Sequence, residues 1–304
     1  NSDWDKLHSS MIGVIDDPQG TAKRLKDLKT YTVAAKSGTV ELVSTETKED
    51  YKIINDCKEI QIIFIMSLHL LSKIKLNKLR KDIKILYFNH KSKKIIDSIT
   101  ATPEFIFGLI ILLTKHFLRI NEISKKNIWD PRQVAELTFN KMLSQSTLGI
   151  VGYGRIGKKL ASIAKHFGMK TLIFTRKNNL TLNDLAKKSD IISINLSLNK
   201  KTKNIINKKF FSKMKNGSYF INTSKGDIVN YNDLLIYLKK NIKGAAIDVY
   251  KNENSNNKEI KKLINYSRIN NNLLLTPHIA GSTLDSILTL QKHCLSRIES
   301  VIKI

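Results

Sequence analysis

Six short apolar runs recur between residues 147 and 276, and lysine-rich stretches of helical spacing fill most of the gaps. The runs are TLGIV (147–151), TLIF (171–174), IISINL (191–196), SYFIN (218–222), AAIDV (245–249) and LLLT (273–276). Apolar runs this short read as strands buried on both faces, and strands alternating with helices build a parallel sheet. The pattern predicts an α/β fold with a doubly wound parallel sheet. In such sheets ligands bind outside the carboxyl ends of the strands, so the segments after each run are where chemistry is expected.

The first run leads straight into GYGRIG, with Gly152, Gly154 and Gly157. A G-x-G-x-x-G alone is weak, because glycine turns are common. Here a strand precedes it and KKLASIAKHFG follows, with Ile156, Leu160, Ile163 and Phe167 on one face and Gly168 as a stop. Gly152 permits the tight turn, Gly154 lets a pyrophosphate approach the backbone, and Gly157 lets helix pack on strand. The helix N-terminus then faces the phosphates. An NAD site would place a carboxylate at the end of the second strand, for the ribose hydroxyls. That place holds FTRKNN, with Thr175, Arg176 and Lys177 and no acid. Arginine and lysine attract a 2′-phosphate, which leans towards NADP. A basic loop set by composition alone is nearly as good an account.

Three further residues follow successive strands. Lys225 comes after SYFIN, Glu253 after AAIDV, and His278 after LLLT, where Pro277 stiffens the turn. A base, an acid to orient it and a cation thus emerge at one sheet edge beside the dinucleotide turn. Each alone reads as a solvated loop residue; together they form a candidate catalytic set. Among the other histidines, His116, His166 and His293 lie in helical patterns, and His8, His69 and His90 have no accompanying pattern.

The chain before residue 147 is less regular. Residues 1–50 are rich in Thr, Val, Ala and Gly, whereas Ile, Lys and Asn dominate from Tyr51 onward. QIIFIM (61–66) and IKILYF (83–88) read as short strands, with IKLNKLRKD between them as a helix or connection. A long apolar helix is predicted from ATPEFIFGLIILLTKHF, with Thr102 as N-cap, Pro103 at its first position and Glu104 in its first turn. Residues 121–146 read as a polar connection. The last segment, GSTLDSILTLQKHCLSRIESVIKI, is an amphipathic helix with Ser282 and Asp285 spaced as a cap, expected to pack back on the protein.

Composition narrows the partners. The balance of 52 Lys+Arg against 26 Asp+Glu leaves a formal charge of +26. A polyanion partner would be the first thought. Only eight of the basic residues are arginine, the lysines are spread evenly, and no zinc-finger spacing or aromatic-interleaved basic motif is present, so no specific nucleic-acid partner is expected. Cys57 and Cys294 make neither a disulfide framework nor a metal cluster. The longest apolar run, FIFGLIILL, is about half of the ~20 residues of a membrane span, and NSDWDKLHSS lacks a signal-peptide layout. The expectation is a soluble, cytoplasmic protein without a metal.

The motifs TLGIVGYGRIG, DIISINLSLNKKTKNII, MKNGSYFINTSKGDIV, GAAIDVYKNE and LLLTPHIAGST, in this order and spacing, resemble the D-isomer-specific 2-hydroxyacid dehydrogenases. That family includes phosphoglycerate, glycerate and D-lactate dehydrogenases. Residues 147–283 are similar to its nucleotide-binding domain, and the helix at 102–118 resembles its linking helix. The resemblance implies a Rossmann-type domain at 102–281. It also implies a smaller α/β substrate domain at 1–101, shortened and completed by 282–304, with the substrate in the cleft between the two. The implied activity is hydride transfer between NAD or NADP and a small 2-keto or 2-hydroxy acid, in a homodimer. In reduction His278 would protonate the carbonyl oxygen, Glu253 would hold the imidazole, and Lys225 would grip the substrate carboxylate. Gly152, Gly154, Arg155, Ile156 and Gly157 would surround the pyrophosphate, and Thr175 and Arg176 would face the adenosine ribose. Ser197, Thr202, Thr223, Asp248 and Gly281 match positions near the cofactor, Asp248 close to the nicotinamide amide.

The chain departs from the family's pattern in places. Lys225 stands where the family has arginine, Asn195 and Ser197 where it has His and Pro. Only FTRKNNLTLNDL separates the second strand from KKSD, which leaves little room for a helix, and no glycine-containing substrate loop is visible before residue 98. Lysine keeps the charge but not the planar fork that fits a carboxylate. The competing reading is a catalytically weak or inactive dinucleotide-binding protein, a sensor or corepressor-like relative on the same fold. A nucleic-acid binder rests on charge alone.

Overall fold

The computed structural model describes residues 62–65, 77, 79, 81–89, 92–135, 140–251, 253 and 257–302. The compositionally distinct first 50 residues, most of IKLNKLRKD, and His8, His69, His90 and Cys57 lie outside the described residues. The chain divides into two units, Asn1–Ile99 with Thr283–Ile304, and Thr100–Ser282.

In the first unit, β1 (Ile62–Ile65) and β2 (Lys84–Tyr87) pair in parallel with Ile62 opposite Lys84, on the two apolar runs expected to be strands. Helix α1 (Lys93–Ser98) follows, and Ile99 is extended at φ −71°, ψ 121°. The stretch Lys93–Thr114 has the length and hydropathy of a membrane span. It is nevertheless two helices parted at Ile99. The second, α2 (Ala101–Thr114), buries eight residues, among them Ile106, Phe107, Ile110 and Leu113.

Two boundaries of α2 differ from the sequence reading. Its N-cap is Thr100, not Thr102, so Pro103 is the third helical residue rather than the first. That position is tolerated because the first-turn N–H groups have no intrahelical acceptor, and a missing one costs nothing. At the other end His116 is left-handed at φ 51°, which separates α2 from a further helix, α3 (Phe117–Ser124). Burial and the neighbouring Lys243 charge hold the His116 imidazole below its ordinary value.

The second unit then builds its sheet. Its elements are β3 (Thr147–Val151), α4 (Arg155–His166), β4 (Lys170–Phe174), α5 (Leu182–Lys188), β5 (Ile191–Ile194), α6 (Lys208–Phe211), β6 (Ser218–Asn222), α7 (Tyr231–Leu238), β7 (Ile242–Ile247), α8 (Lys258–Ile269) and β8 (Leu273–Leu275). All six strands pair in parallel in the order β4-β3-β5-β6-β7-β8. A short helix does fit between β4 and β5. Thr181 caps it by accepting from the Asp184 backbone N–H at 3.1 Å.

Side chains alternate between the two faces of the sheet. Leu148, Ile150, Ile191 and Ile221 meet α2 and α4 through Ile106, Ile110, Leu160 and Ala164. Val151, Ile192, Ile194, Phe220 and Ile247 meet the helices of the other face through Leu185, Phe211, Leu234 and Leu263. Each fully buried Leu or Ile contributes roughly 1.5–3 kcal/mol relative to exposure, so cover on both faces is the main stabilising term of this unit. From β3 the chain steps outward to β4, then returns across β3 to β5. The strand order reverses there, which opens a crevice at the carboxyl ends of β3 and β5.

The last described element is α9 (Leu284–Ile302), within the first unit. Its cap lies one residue later than expected: the Ser286 N–H donates to the Thr283 hydroxyl at 3.2 Å and the Thr283 N–H to the Ser286 hydroxyl at 3.1 Å. The helix lies against α1 and β2. The His293 ring stacks on Phe88 at 6.0 Å and its Nε2 meets the Ser92 hydroxyl at 2.8 Å, while Arg297 donates to the Tyr87 carbonyl at 2.6 Å. Burial pushes the neighbouring Cys294 thiol up to about 12.

Candidate active site

The turn after β3 is shaped for a pyrophosphate. Gly152 has φ 102°, and a Cβ there would sit 2.4 Å from the Asn195 carbonyl oxygen, so no other residue fits without moving the end of β5. Gly157 packs α4 against the same turn, with its Cβ direction 2.2 Å from the Gly152 carbonyl oxygen. Gly154 is the N-cap of α4 and supplies no side-chain cap, and a Cβ at this glycine would meet nothing within 4 Å. Open space thus lies directly before the amide-rich end of a 12-residue helix, where the macrodipole and N–H groups favour an anion. The residues fit a dinucleotide. Arg155 and Ile156, the first two residues of the helix, are half-buried beside that space.

The loop after β4 is tied off by Asn178. Its side chain accepts from the Thr175 N–H at 3.1 Å and donates to the Ile173 carbonyl at 2.6 Å, while the Thr175 hydroxyl accepts from the Lys177 N–H at 3.2 Å. Arg176 and Lys177 project exposed from this closed turn. After β5, Ser197 is exposed and Thr202 is buried; the Thr202 hydroxyl donates to the Ser197 carbonyl and accepts from the Asn199 N–H, both at 2.8 Å. Thr202 therefore shapes the loop that carries Ser197. Thr223 directly follows β6, half-buried, and Gly281 is exposed after β8.

At the ends of β6, β7 and β8 the three catalytic candidates belong to one connected structure. His278 Nδ1 lies 2.8 Å from Glu253 Oε2. Because a carboxylate only accepts, Nδ1 carries the proton in this contact, which turns Nε2 away from the pair. The other Glu253 oxygen accepts from the Tyr250 N–H at 3.1 Å, so the carboxylate is held at both ends. The pair is reachable from solvent, with His278 and Glu253 side chains 37% and 38% exposed.

His278 itself is left-handed, at φ 56°. A non-glycine residue in that region costs on the order of 1–3 kcal/mol unless its surroundings impose it. Asp248 imposes it. This residue is fully buried, and its carboxylate accepts from the Thr276 hydroxyl at 2.6 Å, the Ile279 N–H at 3.0 Å and the Ala280 N–H at 3.1 Å. Its carbonyl also accepts from the His278 N–H at 2.8 Å. The segment from Thr276 to Ala280 is wrapped around one carboxylate.

Lys225 is exposed at the start of a short turn, Gly226–Ile228, that touches the Glu253 segment. A Cβ at Gly226 would lie 2.2 Å from the Lys251 backbone nitrogen. Only glycine allows the two loops to approach this closely. A cation loop thus rests on an acid loop, and the acid holds the histidine.

Sequence reasoning missed the layer beneath. The Tyr231 hydroxyl, at the first residue of α7, accepts from the Asn222 amide at 2.9 Å and donates to the Val249 carbonyl at 2.6 Å. Asn222 in turn accepts from the Ser224 N–H at 3.0 Å, and the Ser224 hydroxyl donates to the Ile194 carbonyl at 2.9 Å. Burial pushes the Tyr231 phenol far above its ordinary value, despite the bond from Asn222. A tyrosine in an amphipathic helix carries no sequence signal of such a role. Among the described residues no group of three or more His, Cys, Asp or Glu could hold a metal ion.

Comparison with known proteins gives the family. The sequence profile of the D-isomer specific 2-hydroxyacid dehydrogenase NAD binding domain matches residues 107–280. The chain is 34% identical to a glyoxylate reductase of Thermococcus litoralis over 60% of its own length and 58% of the relative's. It is 30% identical to a Staphylococcus aureus protein assigned to the 2-hydroxyacid dehydrogenases, over 87% of this chain and 83% of the relative. Among solved structures, the D-lactate dehydrogenase of Aquifex aeolicus, complexed with NAD and lactic acid, superimposes with a TM-score of 0.64 at 25% identity, covering 82% of this chain and 85% of that one. The chain belongs to the D-isomer specific 2-hydroxyacid dehydrogenase family.

Proposed function

We propose that this protein reduces a small 2-keto acid to the 2-hydroxy acid, and oxidises it in reverse, with a nicotinamide dinucleotide as hydride carrier. The observation that carries the proposal is the Glu253–His278 contact at 2.8 Å, joined through the Gly226 approach to the loop that presents Lys225. The cofactor, when bound on the glycine turn, supplies or takes up the hydride. Everything else falls to the chain. His278, oriented by Glu253, donates its Nε2 proton to the carbonyl oxygen as the hydride reaches the carbonyl carbon, and takes that proton back in oxidation. Lys225 pairs with the substrate carboxylate and fixes the direction in which the carbonyl faces His278. Glu253 holds the ring in place through its contact with Nδ1.

Exposed Arg176 and Lys177, with no acid at the same turn, support NADPH as a cofactor at least as good as NADH. The glyoxylate reductase among the relatives makes glyoxylate the first substrate to test. A cytoplasmic homodimer without nucleic-acid partners completes the proposal, by family likeness. The intact Glu253–His278 pair favours catalysis over a purely sensory relative.

The test follows NADH and NADPH absorbance with glyoxylate, pyruvate, hydroxypyruvate and phosphohydroxypyruvate. Turnover of at least one acid, lost in His278→Ala, is the expected result. Cofactor binding without turnover on any of them would refute the reaction.

A further inference from the structure

The reaction needs a fixed distance between the cation that holds the carboxylate and the histidine that protonates the carbonyl oxygen. Those groups sit on segments that leave the sheet from neighbouring strands. The β6–β7 ladder ends at Asn222 opposite Ile247, with a last bond from the Asp248 N–H to the Asn222 carbonyl at 3.0 Å. Beyond it the chains part. One runs through Ser224 to Lys225, the other through Val249 and Tyr250 to Glu253.

They touch again where Gly226 lies against Lys251, and between the ladder's end and that contact one hydroxyl bridges them. Tyr231 is 1% exposed, and its oxygen accepts from Asn222, which orders Ser224, and donates to the carbonyl of Val249. Tyr250, the next residue, lies with its ring 6.5 Å from that of Tyr231, and its N–H holds Glu253. A continuous path therefore runs from the Lys225 segment through one phenol to the Glu253 carboxylate and on to His278. The phenol is no proton donor to substrate, because its own proton is engaged by the Val249 carbonyl in a site closed to solvent.

We infer that Tyr231 is a positioning residue: its hydroxyl sets the spacing between the segment that presents Lys225 and the segment that presents Glu253 and His278. The inference rests on the proposed reaction for its purpose, but its geometry is independent of turnover. Loss of the hydroxyl leaves a carbonyl and an amide without their partner at the point where the segments diverge. The expected consequence is a small change of separation. About an ångström of misplacement costs on the order of 100-fold in rate, so a partial relaxation costs about tenfold.

Tyr231→Phe keeps the ring and removes one oxygen. It is compared with wild type in kcat/KM for the best 2-keto acid, in Kd for the dinucleotide, and in Kd for oxamate, a non-reactive 2-keto acid mimic, on the dinucleotide complex. We expect kcat/KM and oxamate affinity each to fall about tenfold, with dinucleotide affinity changing less than about twofold. In a Lys225→Ala background, where the Lys225 cation is gone, adding Tyr231→Phe should change oxamate affinity by less than about twofold. A tyrosine with a merely structural role would lower the melting temperature and leave oxamate affinity unchanged, or would cost the same with and without Lys225. Either result overturns the inference. Should wild type bind oxamate yet reduce no acid, the proposed reaction fails while the oxamate series still decides the role of Tyr231. Should wild type bind no oxamate, the positioning role fails with it. If Tyr231→Phe does not fold, Asn222→Ala breaks the same bridge from its other end and is expected to give the same loss of oxamate affinity.

Discussion

Replacing Asp248 tests how the histidine loop is held. Its buried carboxylate accepts from the Thr276 hydroxyl and from the Ile279 and Ala280 N–H groups, and its carbonyl accepts from His278. Hydrogen bonds to a charged acceptor are each worth about 1.5–3 kcal/mol, and they do not add fully when they share one group. Asp248→Ala removes three and leaves their donors without a partner, for a loss of about 3–5 kcal/mol. Asp248→Asn keeps the shape and the Oδ1 contacts but turns an amide donor towards the Ala280 N–H, for a loss of about 1.5–3 kcal/mol. In a unit of this size each kcal/mol lowers the melting temperature by roughly 2–4 °C. The alanine variant should therefore melt roughly 6–20 °C lower, and the asparagine variant about half as far. Calorimetric melting together with kcat/KM measures this, and both variants should lose turnover as His278 leaves its left-handed conformation. Melting of Asp248→Ala within about 1 kcal/mol of wild type would refute the loop-holding role. Unchanged melting with weakened dinucleotide affinity would assign Asp248 to the nicotinamide amide instead, as the family likeness implies.

Three other outcomes are expected. Lys225→Arg should raise kcat/KM for a 2-keto acid about tenfold, since a bidentate charge-assisted pair exceeds a single contact by ~1–2 kcal/mol; Lys225→Ala should nearly abolish it with dinucleotide affinity little changed. Equal kcat/KM in all three forms would remove Lys225 from the site. Thr175→Asp combined with Arg176→Ala should shift preference from NADPH towards NADH, read as the ratio of kcat/KM for the two cofactors; a wild type that strongly prefers NADH would show that this turn does not meet the 2′-position. His293 is held below its ordinary value by burial and by Arg297, so the unfolded chain binds its proton first. Stability should hold above the ordinary histidine value of roughly 6.5 and fall as pH drops from there through the lower folded value, a slope that His293→Asn should flatten in pH-dependent melting.

Strand positions were legible because burial on both faces writes itself into consecutive residues. Each of the six runs holds a strand of the sheet. The ends moved where pairing, not composition, decides them. β7 begins at Ile242 and includes exposed Lys243, because Ser218 supplies a partner opposite Ile242. β5 stops at Ile194: the Asn195 N–H makes the last bond to β3, to the Val151 carbonyl at 2.8 Å, and its own carbonyl lies against Gly152. The helix starts at Thr100 and Thr283 differ from the sequence reading by two residues and one for a related reason: several Ser, Thr and Asp residues stand near each start, and the path of the backbone decides which is the boundary, without a side-chain cap at Thr100 and with one at Thr283.

The glycine turn, Glu253, His278 and Lys225 could all be found in the linear chain, because each is a residue type at a set offset from a strand end. Their mutual arrangement could not. It depends on Asp248 gathering Thr276, Ile279 and Ala280, on Gly226 lying against Lys251, and on Tyr231 joining Asn222 to Val249. Those contacts link residues far apart in sequence, in segments whose local composition is unremarkable. Period and propensity act over a few residues, whereas the distance between a cation and a proton donor is set by where separate strand ends meet.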